Sequence, residues 1–250
     1  MRGPFQGVTN VVRFNWHSYV LAGLFVVVII AFGIYFGLHF VYISAISLAV
    51  VIPTFISLLV TFYVYDRSNL YKFDWLDDLN ISRTGRSLNF NAGFDETSVL
   101  LSSKYPGTLF CAFDFYDAGK HTEVSIKRAR KAYGRFGDTA RISTSALPVQ
   151  DYFAENIFVI FAAHEIRDAA ERVCFFRELH RSSNNSGKII VTEHLRDVSN
   201  FLAYNIGAFH FLPRSAWCET FRDAGLEICS ELKITPFITT FVLEKNGTAH

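Results

Sequence analysis

The chain has 250 residues with 24 Lys and Arg against 23 Asp and Glu, a net charge of +1. So even a balance offers no bulk attraction for nucleic-acid phosphates, and no nucleic-acid partner is expected. Half of the residues are hydrophobic, more than a single soluble core needs, and the excess is at one end. Between Arg13 and Asp66 there is no Lys, Arg, Asp or Glu.

Two apolar runs fill that gap, Tyr19 to Phe36 and Val41 to Tyr65. Each is long enough for a membrane span, which takes about 20 residues. The joint Gly37-Leu38-His39-Phe40 makes them a hairpin. Each run is too long for the apolar core of a signal peptide. A buried helix pair in a soluble core is the alternative. Arg2 and Arg13 precede the first run, Arg67 and Lys72 follow the second, and the joint has no charge. The positive-inside rule then puts both ends of the hairpin in the cytoplasm. Trp16, Tyr19, Tyr63 and Tyr65 fall where interfacial aromatics belong. The expected organisation is a transmembrane hairpin at 1–66, a juxtamembrane connector at 67–86, and a cytosolic domain at 87–250. The connector carries Leu70, Trp75, Leu76 and Leu79, a face for the membrane surface or for the soluble domain. The four cysteines are scattered without a CxxC, so no zinc or redox pair is indicated. Cys111 and Cys174 read as buried thiols.

From Ser87 the pattern alternates. Strands are predicted at Leu88–Asn91, Leu109–Phe115, Ala140–Ser143, Ile157–Ala162 and Lys188–Thr192, the last after a turn at Asn184–Gly187. Helices are predicted at Asp95–Lys104, Thr122–Tyr133, Ala169–Arg181 and Ser215–Ala224. Glu227–Ile234 and Thr239–Leu243 read as a closing strand pair. Alternation of this kind implies a doubly wound, mostly parallel sheet of the Rossmann type, covered on both faces. The organising stretch is Ser87 to Ser98, where a strand runs through Ala92-Gly93 into a helix start at Asp95. Gly93 can take positive φ or let a ligand approach the backbone. Strand, tight turn and helix N-terminus make a nucleotide-type site. Asp114, at the end of the second strand, is spaced to bond a ribose hydroxyl.

Five features resemble class I S-adenosylmethionine-dependent methyltransferases: Asn91-Ala-Gly-Phe-Asp95 after the first strand, Asp114 after the second, Ile142-Ser-Thr-Ser-Ala-Leu-Pro-Val149, Phe158 to His164, and Ser186-Gly-Lys-Ile-Ile-Val191. The resemblance covers about Ser87 to Lys245. It departs from the family in its single loop glycine and in Ser143, where an Asp often precedes Leu-Pro. It implies S-adenosylmethionine as cofactor, lying across the strand tips. Asn91, Ala92, Gly93 and Asp95 would form its loop, with Gly93 near the methionine part. Asp114 would hold the ribose, Phe115, Ser143 and Thr144 would flank adenine, and Ala162 would lie at the fourth strand tip.

Two peptides, His164-Glu-Ile-Arg-Asp168 and Glu193-His-Leu-Arg-Asp197, each follow a parallel strand and point at one crevice. His164 or His194 could take a proton from an acceptor, with Glu165 or Glu193 orienting the imidazole. Bracing ion pairs with Arg167, Arg172 and Arg196 are the structural alternative. No metal is assigned. The two His and two carboxylates could bind zinc or non-haem iron only by converging from two loops, with His121 and Glu123 as further candidates. Tyr204, Asn205 and His210, in the apolar segment before the last helix, would be the polar points of an acceptor pocket. The reading is a membrane-anchored methyltransferase whose partners are the lipid bilayer and a lipophilic small-molecule acceptor such as a quinone, phenolic lipid or lipid head group. A nicotinamide-dependent oxidoreductase is disfavoured by the missing GxGxxG and Tyr-x-x-x-Lys. A non-catalytic scaffold is the third reading, supported by the thin first loop.

Overall fold

The computed structural model describes residues 3–121, 123–134 and 136–246. Thr122, the first residue of one expected helix, and Arg135 lie outside the described residues. Helix α1 spans Gln6–Phe14, α2 Trp16–Tyr35 and α3 Phe40–Phe62, with a π-helical turn at Tyr63–Arg67. Only Gly33 of α2 and Thr61 of α3 are buried. Both helices are long and apolar enough to cross a membrane, and Pro53 is accommodated inside α3. They meet where Gly33 leaves room for Ile43; a Cβ there would run into that side chain. Small residues at such crossings let membrane helices approach closely.

The rest of the chain is built on a seven-stranded sheet. Its strands are β1 Gly85–Asn91, β2 Thr108–Asp114, β3 Ala140–Arg141, β4 Ala154–Ile160, β5 Ser183–His194, β6 Leu226–Thr235 and β7 Ile238–Lys245, in the order β3-β2-β1-β4-β5-β7-β6. The pairs among β1 to β5 are parallel, and β7 runs antiparallel to both β5 and β6. The interleaved helices are α4 Ser98–Lys104, α5 Val124–Ala132, α6 Ala169–Ser182, α7 Val198–Tyr204 and α8 Arg214–Asp223. Central strands are apolar on both faces, as a doubly covered parallel sheet requires. Leu88, Phe90, Ile157, Val159 and Val191 pack with Phe175 and Phe176 of α6 and Trp217 and Phe221 of α8. Phe158, Ile160 and Ile190 pack on the other face with Leu101 of α4 and with Phe73, Leu76 and Leu79. Of the two places open to the connector, its apolar residues therefore pack on the sheet, through 3-10 turns at Leu70–Lys72 and Asp74–Leu79.

Two expectations are corrected. The turn at Asn184–Gly187 is a bulge within β5, because β4 pairs Ala154 with Ser183 and then Asn156 with Lys188. Cys111 and Cys174 are partly exposed.

Candidate active site

The first loop is built by short side chains bonding backbone. Asn91 Oδ1 accepts from Gly93 N at 3.0 Å, and Asp95 Oδ1 accepts from Thr97 N at 3.1 Å and Ser98 N at 2.9 Å. Asn89 Nδ2 donates to Thr97 Oγ1 at 2.9 Å and Ser98 Oγ at 2.8 Å, tying β1 to α4. Gly93 has φ +93°, a region that favours glycine. Asn91 Nδ2 and Asp95 Oδ2 are buried without a hydrogen-bond partner. With Gly93 and Asp114 they line a cavity of about 50 Å³. Arg130 of α5 lies across it. Its Nη1 donates to Asp114 Oδ2 at 2.8 Å, its guanidinium sits 4.1 Å from the Tyr116 ring centre, and a Cβ on Gly93 would strike Nη1. Asp114 Oδ1 accepts from Tyr116 N at 2.9 Å, so the buried carboxylate is bonded on both oxygens.

A second cavity, about 260 Å³, opens at the tips of β1, β4 and β5. Its floor includes Ala92, Ile160 and Phe161, and Gly7, Asn10, Val11 and Phe14 of α1 form one wall. Gly7, Asn10 and Phe14 are the buried residues of α1; spacings of three and four put them on one face. The Asp66 carboxylate accepts from Gly7 N at 2.6 Å and Val8 N at 2.8 Å, supplying the acceptors that a helix N-terminus needs. Asn10 Nδ2 donates to Glu96 Oε1 at 3.1 Å, and Asn10 Oδ1 accepts from the Tyr133 hydroxyl at 2.8 Å. Arg128 Nη1 donates to Phe14 O at 2.6 Å.

The polar end of this cavity gathers His164, Glu165, His210 and Glu123. His164 Nδ1 is 2.7 Å from Glu193 Oε2, and His164 N donates to the other oxygen at 3.2 Å. His164 Nε2 is 3.3 Å from Glu165 Oε1. His210 Nε2 is 3.9 Å from the same oxygen, while its Nδ1 is 2.8 Å from Glu123 Oε1. Burial alone would lower the His164 imidazole, but the Glu193 charge and the hydrogen bonds to Glu165 and Glu193 push it up to about 10. Burial would raise Glu165, yet His164, then His210 and Arg167, hold it down at about 2. The hydrogen bond with His210 lowers Glu123.

His194 lines the same cavity but is held apart from that cluster. Its Nε2 is 2.7 Å from the Tyr65 hydroxyl and its Nδ1 is 3.0 Å from Asn200 Oδ1. Asn200 Nδ2 donates to Asp197 and to Phe237 O, which fixes Oδ1 as the acceptor. His194 Nδ1 therefore carries the proton, and Tyr65 donates to Nε2. Burial pushes His194 down to about 4, so the ring is neutral at pH 7. It stacks on Phe211 at 4.7 Å.

Each residue singled out in the sequence has a definite place. His164, Glu165 and Glu193 come together, and the bonded pair crosses between loops, Glu193 with His164. Ala92 reaches the large cavity; Asn91, Gly93, Asp95 and Asp114 surround the small one. Phe115 is buried in the core against Phe175. Ser143 is exposed and bonded to Ser145, and the Thr144 hydroxyl donates to Glu171 at 2.6 Å. Ala162 is buried just beyond β4. Of the three acceptor-pocket residues only His210 lines the large cavity. Tyr204 packs edge-on against His194, and Asn205, at φ +51°, caps α7. The sequence reading missed the wall made by α1, Tyr65 and Tyr71. The buried spacing Gly7, Asn10 and Phe14 was the available signal, hidden by its place before an apolar run.

No protein-family model matches this chain, and no curated protein matches it. Solved structures do. A SAM-dependent methyltransferase from Aquifex aeolicus aligns with a TM-score of 0.52 and 16% identity, over 76% of this chain and 97% of its own. The PH0226 protein from Pyrococcus horikoshii OT3 aligns with a TM-score of 0.51 and 15% identity, over 73% and 94%. The likeness is one of fold: the sheet has the Rossmann-like architecture of the Aquifex methyltransferase, preceded here by two apolar helices.

Proposed function

We propose that this protein is a membrane-anchored S-adenosylmethionine-dependent methyltransferase acting on a lipophilic acceptor. The observation that carries the reading is the 260 Å³ cavity at the carboxyl ends of β1, β4 and β5, where open α/β sheets bind ligands, walled by Tyr65 and Tyr71 just after α3. The charges of Arg2, Arg13, Arg67 and Lys72 favour a cytoplasmic location for both ends of the hairpin and for the enzyme domain. Next to α3, helix α7 and the turn after it leave Phe201, Leu202, Ile206 and Phe209 exposed. That apolar surface suits contact with the bilayer and entry of an apolar acceptor.

The first loop fits the cofactor chemically. Asn91 Nδ2 offers an unused donor and Asp95 Oδ2 an unused acceptor, suited to an amino-acid carboxylate and ammonium, and Asp114 suits ribose hydroxyls. A volume of about 50 Å³ is far below the several hundred that ligand pockets offer, so binding requires Arg130 to leave Asp114. When bound, S-adenosylmethionine supplies an electrophilic methyl group. The chain's own part is to exclude water with α1, to seat the acceptor against Phe14 and Tyr65, and to favour the acceptor's anion, the form that attacks the methyl group, through the His164 imidazolium held between Glu165 and Glu193.

The competing reading is a non-catalytic binding protein, and Arg130 across the groove is the observation in its favour. Calorimetric titration of the detergent-purified chain with S-adenosylmethionine, S-adenosylhomocysteine and NADH decides. Binding of the first two alone is the expected result. Binding of NADH alone makes the protein an oxidoreductase, and no binding favours the non-catalytic reading.

A further inference from the structure

The polar end of the large cavity has the layout of a metal centre. His164 Nε2 and His210 Nε2 both approach Glu165 Oε1, at 3.3 and 3.9 Å. One ligand atom from each residue lies within 4.8 Å of the other two. Metal–ligand bonds of about 2.0–2.2 Å separate neighbouring ligand atoms by roughly 3–3.6 Å, so closure around an ion takes shifts of under about 1 Å. Each imidazole is also anchored through its other nitrogen: His164 Nδ1 on Glu193 at 2.7 Å and His210 Nδ1 on Glu123 at 2.8 Å. A carboxylate on the far nitrogen is the second support that metal-binding histidines use to fix ring and tautomer. Glu193 is almost wholly buried, which makes this anchor part of the core.

Charge points the same way. Three carboxylates, Glu123, Glu165 and Glu193, converge on two imidazoles. Arg167 is the guanidinium that meets them, with Nη2 3.2 Å from Glu123 and 2.8 Å from His210 Nε2. Its side chain is 41% exposed, and an entering ion must displace it also from His210 O, at 2.5 Å from Nη1, and from His210 Nδ1, at 2.6 Å from Nη2.

We infer that His164, Glu165 and His210 form a two-histidine, one-carboxylate site for a divalent transition-metal ion, oriented by Glu193 and Glu123, with its open positions facing the cavity. The donor set suits Zn²⁺, Fe²⁺, Mn²⁺ or Co²⁺ and disfavours Ca²⁺. The inference does not require S-adenosylmethionine, since it uses no residue of the first loop, although it shares His164, Glu165 and Glu193 with the proposed acceptor site, and Co²⁺ binding is read without any methyl donor.

The test is titration of the full-length, detergent-purified, chelator-stripped protein with Co²⁺, followed by visible d–d absorption and by metal analysis after dialysis. One Co²⁺ per chain with a visible band, displaced by Zn²⁺, is expected. The double variant H164A/H210A should lose the band while keeping its far-ultraviolet circular dichroism. Glu193→Gln should weaken binding roughly 10–100-fold. Arg167→Gln should tighten it, because it removes the competing cation; a merely structural cluster would not respond so. Absence of Co²⁺ binding in the wild-type protein overturns the inference, as does stoichiometric binding in the double variant. Should the double variant misfold, His210→Asn, at a half-buried position, decides: weakening of tenfold or more supports the site, and unchanged affinity overturns it.

Discussion

Asp114 and Arg130 set up a competition. The carboxylate that a ribose would use is already bonded to a guanidinium at 2.8 Å. Arg130→Ala should therefore tighten S-adenosylmethionine binding severalfold in calorimetry, whereas Asp114→Ala should weaken it about 10–100-fold, the worth of a hydrogen bond to a charged group. Equal affinities in the two variants would sink the ribose assignment. His194 yields a pH prediction. Its folded value near 4 lies below an unfolded value near 6.5. The unfolded chain thus binds more protons between those values, and stability falls as pH drops through that window. Melting curves between pH 7 and 4 should fall less steeply for His194→Gln than for the wild-type protein. Sequence reading found both histidines and both glutamates, since each follows a strand. It could not find the partnership of Glu193 with His164, because register across two loops decides it. Nor could it show that Tyr65 bonds His194.

Among the elements, the central strands β1, β4 and β5 were legible because buried parallel strands read as apolar runs bounded by turns. Helix α1 was not, since two of its three buried residues are Gly7 and Asn10, held by polar bonds instead of apolar packing. Those bonds make a prediction of their own. Asp66→Asn weakens the anchor on the first N–H groups of α1 and should cost about 0.5–2 kcal/mol, read as a lower denaturant midpoint. Gly7→Val should do more harm, because a Cβ at Gly7 meets Tyr65 Cβ and the Asp66 carboxylate. The β5 bulge shows the opposite kind of error. Asn184 to Gly187 carry every turn signal, yet the strand resumes on the same neighbour after them. Local composition announces a break in pairing but not whether the chain reverses there.

For the molecule as a whole, the proposed membrane seating predicts that the full chain stays with vesicles through a carbonate wash and is released by detergent. Release by carbonate alone would mean that α2 and α3 do not span. Substituting Gly33→Val should splay the hairpin against Ile43 and raise protease access to residues 36–40 in vesicles.

Because Asp66, after α3, holds the backbone of Gly7 and Val8, before α2, the two ends of the hairpin are stitched together. In that seating, and with the proposed function, the large cavity doubles as a checkpoint on biogenesis. A chain threaded with one crossing instead of two would strand α1 on the far side of the bilayer and leave the chamber missing a wall. Misinsertion would then produce a silent protein instead of a misplaced active one.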